Sequence, residues 1–149
     1  MPNTLPQDLT GLPKTLTGQS AWLGKDMANN PKAWLYDLSP EDIIDLETAA
    51  QHFQSLGIDV GEITKETFPL TTFLKHIDGL RKTLLKGTGV EVLRGLPIAN
   101  YSQVFIATIF CGLGSHLGSA RSQNSNGHIL GHVRDIGADA NDPNSRIYQ

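Results

Sequence analysis

A single cysteine, Cys111, stands among the 149 residues. No internal disulfide can form, so packing and hydrogen bonds must hold whatever fold there is. Long hydrophobic runs are missing too: no stretch approaches the roughly 20 apolar residues that cross a bilayer. Charge is scarce and nearly balanced, with 12 Lys and Arg against 15 Asp and Glu and a net charge of -3. The basic residues are scattered, so nucleic acid is not an expected partner. The opening MPNTLPQDLTGLPK holds three prolines and no apolar run, so a signal peptide is not expected. With a lone thiol that suits a reducing compartment, the expected location is cytosolic.

What is present suffices for a core. The chain is 39% hydrophobic, and a domain of this length buries roughly 70% of its unfolded surface. Pro2, Pro6, Gly11 and Pro13 forbid regular structure, so residues 1–17 read as a flexible arm and 18–149 as one unit. Trp22 and Trp34 could line a ligand site; stapling a terminal segment onto a core is the favoured role.

Three helices are legible. Ser39-Pro40-Glu41-Asp42 sets a hydroxyl at the N-cap, proline at the first helical position and carboxylates in the first turn. Ile43, Leu46, Ala50 and Phe53 then form one stripe, flanked by Ile44 and Ala49, and Gly57 supplies the stop. Glu41, Asp42, Asp45 and Glu47 read as a solvated face. A second helix is predicted over about 70–86, with Leu70, Phe73, Leu74, Ile77, Leu80, Leu84 and Leu85 at helical spacing and Gly87 after it. The third carries Val104, Phe105, Ile109, Phe110, Leu113 and Leu117. Asn100 and Gln103 stand at capping-box spacing before it, and Gly118 ends it. Cys111 lies in this apolar pattern and reads as a buried packing residue. A short valine-rich strand is predicted over 89–94, and another over 128–136.

Glycines 112, 114 and 118 fail as a dinucleotide loop, because they sit at a helix end with the wrong spacing. His128 and His132 fail as a metal pair. Gly131 argues against a shared helix, and on a strand they would stand about 13 Å apart at roughly 3.3 Å per residue. His52, His76 and His116 stand singly on predicted helices and carry no functional reading.

Several segments, taken in order, do carry a resemblance. They are Trp22-Leu23-Gly24 with Trp34, Gly89-Val90-Glu91-Val92-Leu93-Arg94-Gly95-Leu96-Pro97, Leu113 to Gly118, Gln123-Asn124, Gly127 to Asp135, and Arg146-Ile147-Tyr148-Gln149. Together they resemble the TauD/TfdA-like (taurine dioxygenase-like) Fe(II)/2-oxoglutarate oxygenases over about residues 18–149. In that family such a run comes shortly before the His-x-Asp motif that holds the iron, and the sequence here reaches Gln149 before one. The resemblance implies an α+β fold, with N-terminal helices and the first strands of a distorted jelly roll (double-stranded β-helix), incomplete within these residues. It implies Fe(II) held by two histidines and a carboxylate, with 2-oxoglutarate chelating the metal.

None of those ligands maps onto a residue of this chain, so no catalytic and no metal residue is assigned. The expected contribution is scaffold and part of a substrate pocket, with Gln123, Asn124 and Tyr148 as candidates; turn and strand-edge hydrogen bonding is the competing role. Expected partners are a small-molecule substrate, a missing C-terminal half or a second copy, and neither nucleic acid nor membrane. On this reading the chain is catalytically silent alone. The alternatives are a free-standing, non-catalytic α+β interaction module, or assembly with a separate chain that supplies the iron ligands.

Overall fold

Regular structure is anchored where the sequence supplies a complete cap. In the computed structural model, which describes residues 15–131, helix α2 (Pro40–Ser55) opens on a capping box. Ser39 Oγ accepts from the Asp42 amide at 3.1 Å, and Asp42 Oδ2 accepts from the Ser39 amide at 2.9 Å. Two amides that lack helical partners are thereby satisfied. The helix ends before Gly57, whose φ of +66° suits glycine. A shorter helix, α1 (Gly24–Asn29), precedes it. Trp34 donates its indole N–H to the Met27 carbonyl, and Trp22 donates to the Thr88 carbonyl 66 residues later. Trp22 thereby ties the N-terminal segment to distant backbone, in line with the favoured of the two predicted roles, while the Trp34 bond stays within that segment.

Helix α3 (Leu74–Lys86) begins four residues later than predicted. The cause is Asp45 on α2, which accepts the amides of Thr71 and Phe73. Those donors are held by a carboxylate across the core, so the approach to α3 stays irregular. Leu70 and Phe73 are still buried, as their apolar spacing requires. Helix α4 (Gln103–Leu117) is capped by Ser102, whose Oγ accepts from the Phe105 amide. The Asn100–Gln103 pairing predicted from spacing is not the cap, because Asn100 closes a 3₁₀ turn, Ile98–Asn100.

The strand predicted at 89–94 is shorter, β2 (Val92–Arg94), and pairs in parallel with β1 (Leu35–Asp37). The register sets Tyr36 against Leu93 and Asp37 against Arg94. Parallel neighbours need a long crossover, and here α2 and α3 provide it. β1 was not predicted, since three residues show no alternation. The second predicted strand, 128–136, fails where it can be seen: His128 to Gly131 is irregular, and the remainder lies outside the described residues. The α+β class holds. Among the described residues the sheet is this one parallel pair, and no helix is long and apolar enough to cross a membrane.

The core is one cluster. Leu46, Ala49, Ala50 and Phe53 from α2 meet Phe68, Leu70 and Phe73 from the connection, Ile77 and Leu80 from α3, and Ile109 from α4. Cys111 is buried, and burial pushes its thiol pKa up, consistent with a packing role. Ile44, Val104 and Phe110, predicted on apolar faces, are more than 60% exposed. Only one side of α2 and of α4 meets the core.

The acidic face predicted on α2 is corrected. Asp42 and Asp45 are each 8% exposed. Asp42 caps the helix and accepts from the Tyr36 hydroxyl at 3.0 Å. Glu47 is half-buried and accepts from the Tyr101 hydroxyl, and burial together with that bond pushes the Tyr101 phenol up to about 12. Only Glu41 of the four is fully on the solvent side. Hydrophobic spacing could not reveal this: Asp45 and Glu47 meet donors 26 and 54 residues away, and Asp42 is held by its own capping box and Tyr36.

His76 also acquires partners. Its ring stacks on Tyr36 at 3.7 Å and lies 5.0 Å from Phe73, while Nε2 stands 2.6 Å from Glu91 Oε1. The side chains of His76 and Glu91 are 19% and 15% exposed, so the pair is shielded from water. His76→Ala is expected to destabilise the fold by about 2 kcal/mol, combining a lost stack with an unpaired, half-buried carboxylate. A urea melt of wild type and variant measures it, and a double-mutant cycle with Glu91→Gln isolates the coupling.

Candidate functional site

Two of the three sequence candidates, the adjacent Gln123 and Asn124, lie on one turn. Asn124 Oδ1 accepts the amides of Asn126 and His128, each at 3.1 Å. The Asn124 carbonyl accepts from Gly127, whose φ is +84°, a conformation natural to glycine. The Gln123 amide closes the turn by donating to the His128 carbonyl at 2.7 Å. An Asx-type turn of this kind follows from the Asn and Gly content of SQNSNG.

The two candidate side chains behave differently. Gln123 Nε2 turns back to donate to the Arg121 carbonyl at 2.9 Å. Asn124 Nδ2 meets His128 Nδ1 at 2.9 Å. The third candidate, Tyr148, lies outside the described residues, as do His132 and Arg146. The structure thus brings Gln123 and Asn124 together and adds His128, which sequence reasoning set aside. Its signal was available only as the pairing of Asn124 with a histidine four residues on.

This turn forms one wall of a cleft of about 460 Å³. The second wall is the 3₁₀ turn Val60–Glu62 with Asp59, and the third is the first two turns of α4. Val60, Val104, Ala107, Ile129 and Leu130 make it largely apolar, while Asp59, Gln103, Asn126 and His128 supply polar groups. Asp59 Oδ1 is already engaged by the Gly61 amide at 2.7 Å. An apolar hollow of this size with a few convergent polar groups has the form of a small-molecule site.

Metal ligation is a different matter. Among the described residues, no group of three His, Cys, Asp or Glu side chains is arranged to hold an ion. The described residues therefore do not fit the iron site that the resemblance implies.

Two curated proteins match this chain. FR-33289 synthase of Streptomyces rubellomurinus is 27% identical over 126 residues, covering 85% of this chain and 37% of that protein. The taurine hydroxylase-like protein SAT17 of Stachybotrys chartarum is 27% identical over 121 residues, 80% of this chain and 31% of its own length. The chain resembles the taurine dioxygenase-like oxygenases. The chain spans about a third of the length of these curated relatives. No family model matches.

Proposed function

We propose that these residues form the helical shoulder and one substrate-side wall of an Fe(II)/2-oxoglutarate-dependent oxygenase-like domain. The observation that carries the reading is the similarity along 80–85% of the chain to two proteins, one of them named for a taurine hydroxylase. On this reading α2, α3 and α4 hold the core, and the Asn124 turn presents polar groups to a hollow that accepts a small molecule. Tyr148 remains a substrate-pocket candidate. Iron and 2-oxoglutarate would be held by residues other than those described, since no suitable cluster occurs among them. When bound, they supply oxidative hydroxylation; these residues bind and orient.

The 149-residue chain, supplied with Fe(II), 2-oxoglutarate and oxygen, is expected to form no succinate above the protein-free blank. Stoichiometric iron binding with succinate release would overturn the division of labour. The family half of the reading is tested separately by grafting. FR-33289 synthase carrying these residues in place of its aligned segment should remain soluble and bind iron, and an iron-free chimera counts against it.

A second reading, a free-standing non-catalytic α+β interaction module, is favoured by the shared core of ten buried residues. Cooperative thermal unfolding of a soluble monomer supports the module, and aggregation of the isolated chain counts against it.

A further inference from the structure

We infer that the cleft between the Val60–Glu62 turn, α4 and the Asn124 turn binds an uncharged small molecule that has an apolar body and a hydrogen-bond acceptor, with His128 as the donor that selects for it. The inference concerns binding alone and holds whether or not oxygenase chemistry takes place.

The argument starts from the Asn124 amide. Its oxygen is committed, because the backbone donors of Asn126 and His128 both point to it. The NH2 end must therefore face the imidazole. An amide N–H donating to Nδ1 at 2.9 Å requires that nitrogen to be a bare acceptor. In the neutral ring the proton then resides on Nε2. Asn124 thereby acts as a positioning residue, fixing both the tautomer and the tilt of His128 without lining the cleft itself.

His128 does line the cleft, together with the apolar side chains of Val104, Ala107 and Leu130. His128 is exposed, so a fixed N–H donor there favours a ligand acceptor because a ligand that displaces its water without replacing the bond loses affinity. Asp59 is the only carboxylate among the described lining residues. Its charge disfavours anions, and the His128 donor disfavours a cation at the same position. A neutral carbonyl or ether compound of modest size meets these conditions.

The test uses two probes of nearly equal shape, acetophenone and ethylbenzene, titrated at pH 8 into the labelled 149-residue chain and followed by NMR. Acetophenone is expected to give saturable shifts at the His128 ring and the Val104 and Leu130 methyls, with ethylbenzene at least fivefold weaker. His128→Phe keeps a ring and removes the donor, so the two probes should bind alike. Asn124→Ala should mix the His128 tautomers in a long-range proton–nitrogen spectrum and reduce the preference for acetophenone. Val104→Asp, at a position 68% exposed and so tolerant of charge, should abolish binding of both probes without lowering the melting temperature. It keeps the test decisive if the His128 variant fails to fold. Absence of saturable shifts, equal affinities in the wild type, a preference that survives His128→Phe, or binding that survives Val104→Asp overturns the inference.

Discussion

Gly112→Ala is expected to destabilise the fold by about 3 kcal/mol, although alanine is the better helix former. A Cβ built at Gly112 would stand 2.4, 2.5 and 2.6 Å from three ring atoms of Phe68. Carbon atoms do not approach so closely, so helix or ring must move. Phe68 has no exposed surface and sits in the central cluster, which leaves the ring nowhere to go. Overpacking of this kind costs about 1–3 kcal/mol, occasionally more. The alanine propensity gain of about 1 kcal/mol offsets only part of a clash this severe. Urea denaturation of the two proteins gives the difference. Phe68→Leu in the Gly112→Ala background should recover part of the loss, because it clears the added methyl. A variant as stable as wild type would show that α4 and the Phe68 segment are not packed as described.

The second large effect is at Asp45. One carboxylate accepts the Thr71 amide at 2.9 Å, the Thr71 hydroxyl at 2.5 Å and the Phe73 amide at 3.0 Å, and it is nearly buried. Bonds to a charged group contribute about 1.5–3 kcal/mol, and the orphaned donors cost more when their partner is deleted. Asp45→Ala should therefore lose about 3 kcal/mol in a urea melt and loosen the start of α3.

The same residue carries a pH signature. Burial pushes its carboxyl pKa up, but the bonds from Thr71, Phe73 and Thr72 outweigh that and hold it below the ordinary carboxylate range. A depressed native value means that the unfolded chain binds the proton more readily. The stabilisation is complete well above the unfolded value of about 3.9 and is lost as pH falls from there through the lower native value. Asp45→Asn should flatten that acid limb of stability against pH. An unchanged acid limb would remove Asp45 from the account.

The elements read most accurately from sequence are those with local causes. Ser39, Pro40 and Gly57 carry their own capping chemistry, and α2 lies within the limits they set. α3 starts late because a carboxylate 28 residues away binds the Phe73 amide, and no helical period encodes that. β1 was invisible because three residues become a strand only when β2 arrives beside them. The turn at SQNSNG was legible in the same sense, from its Asn and Gly content, whereas Asn124 was named only as a polar group near a motif segment. The partnership with His128, and the cleft it faces, depend on α4 and the Val60–Glu62 turn meeting across the fold.

Parallel pairing of β1 with β2 also sets an order of events. Arg94 grips Asp37 through two bonds across 57 residues of chain, so a long loop must close before either end is rewarded. Helices α2 and α3 lie within that loop and can condense earlier from nearer neighbours. The ribbon is then the clasp fastened last during folding, and the joint first released when the molecule begins to come apart.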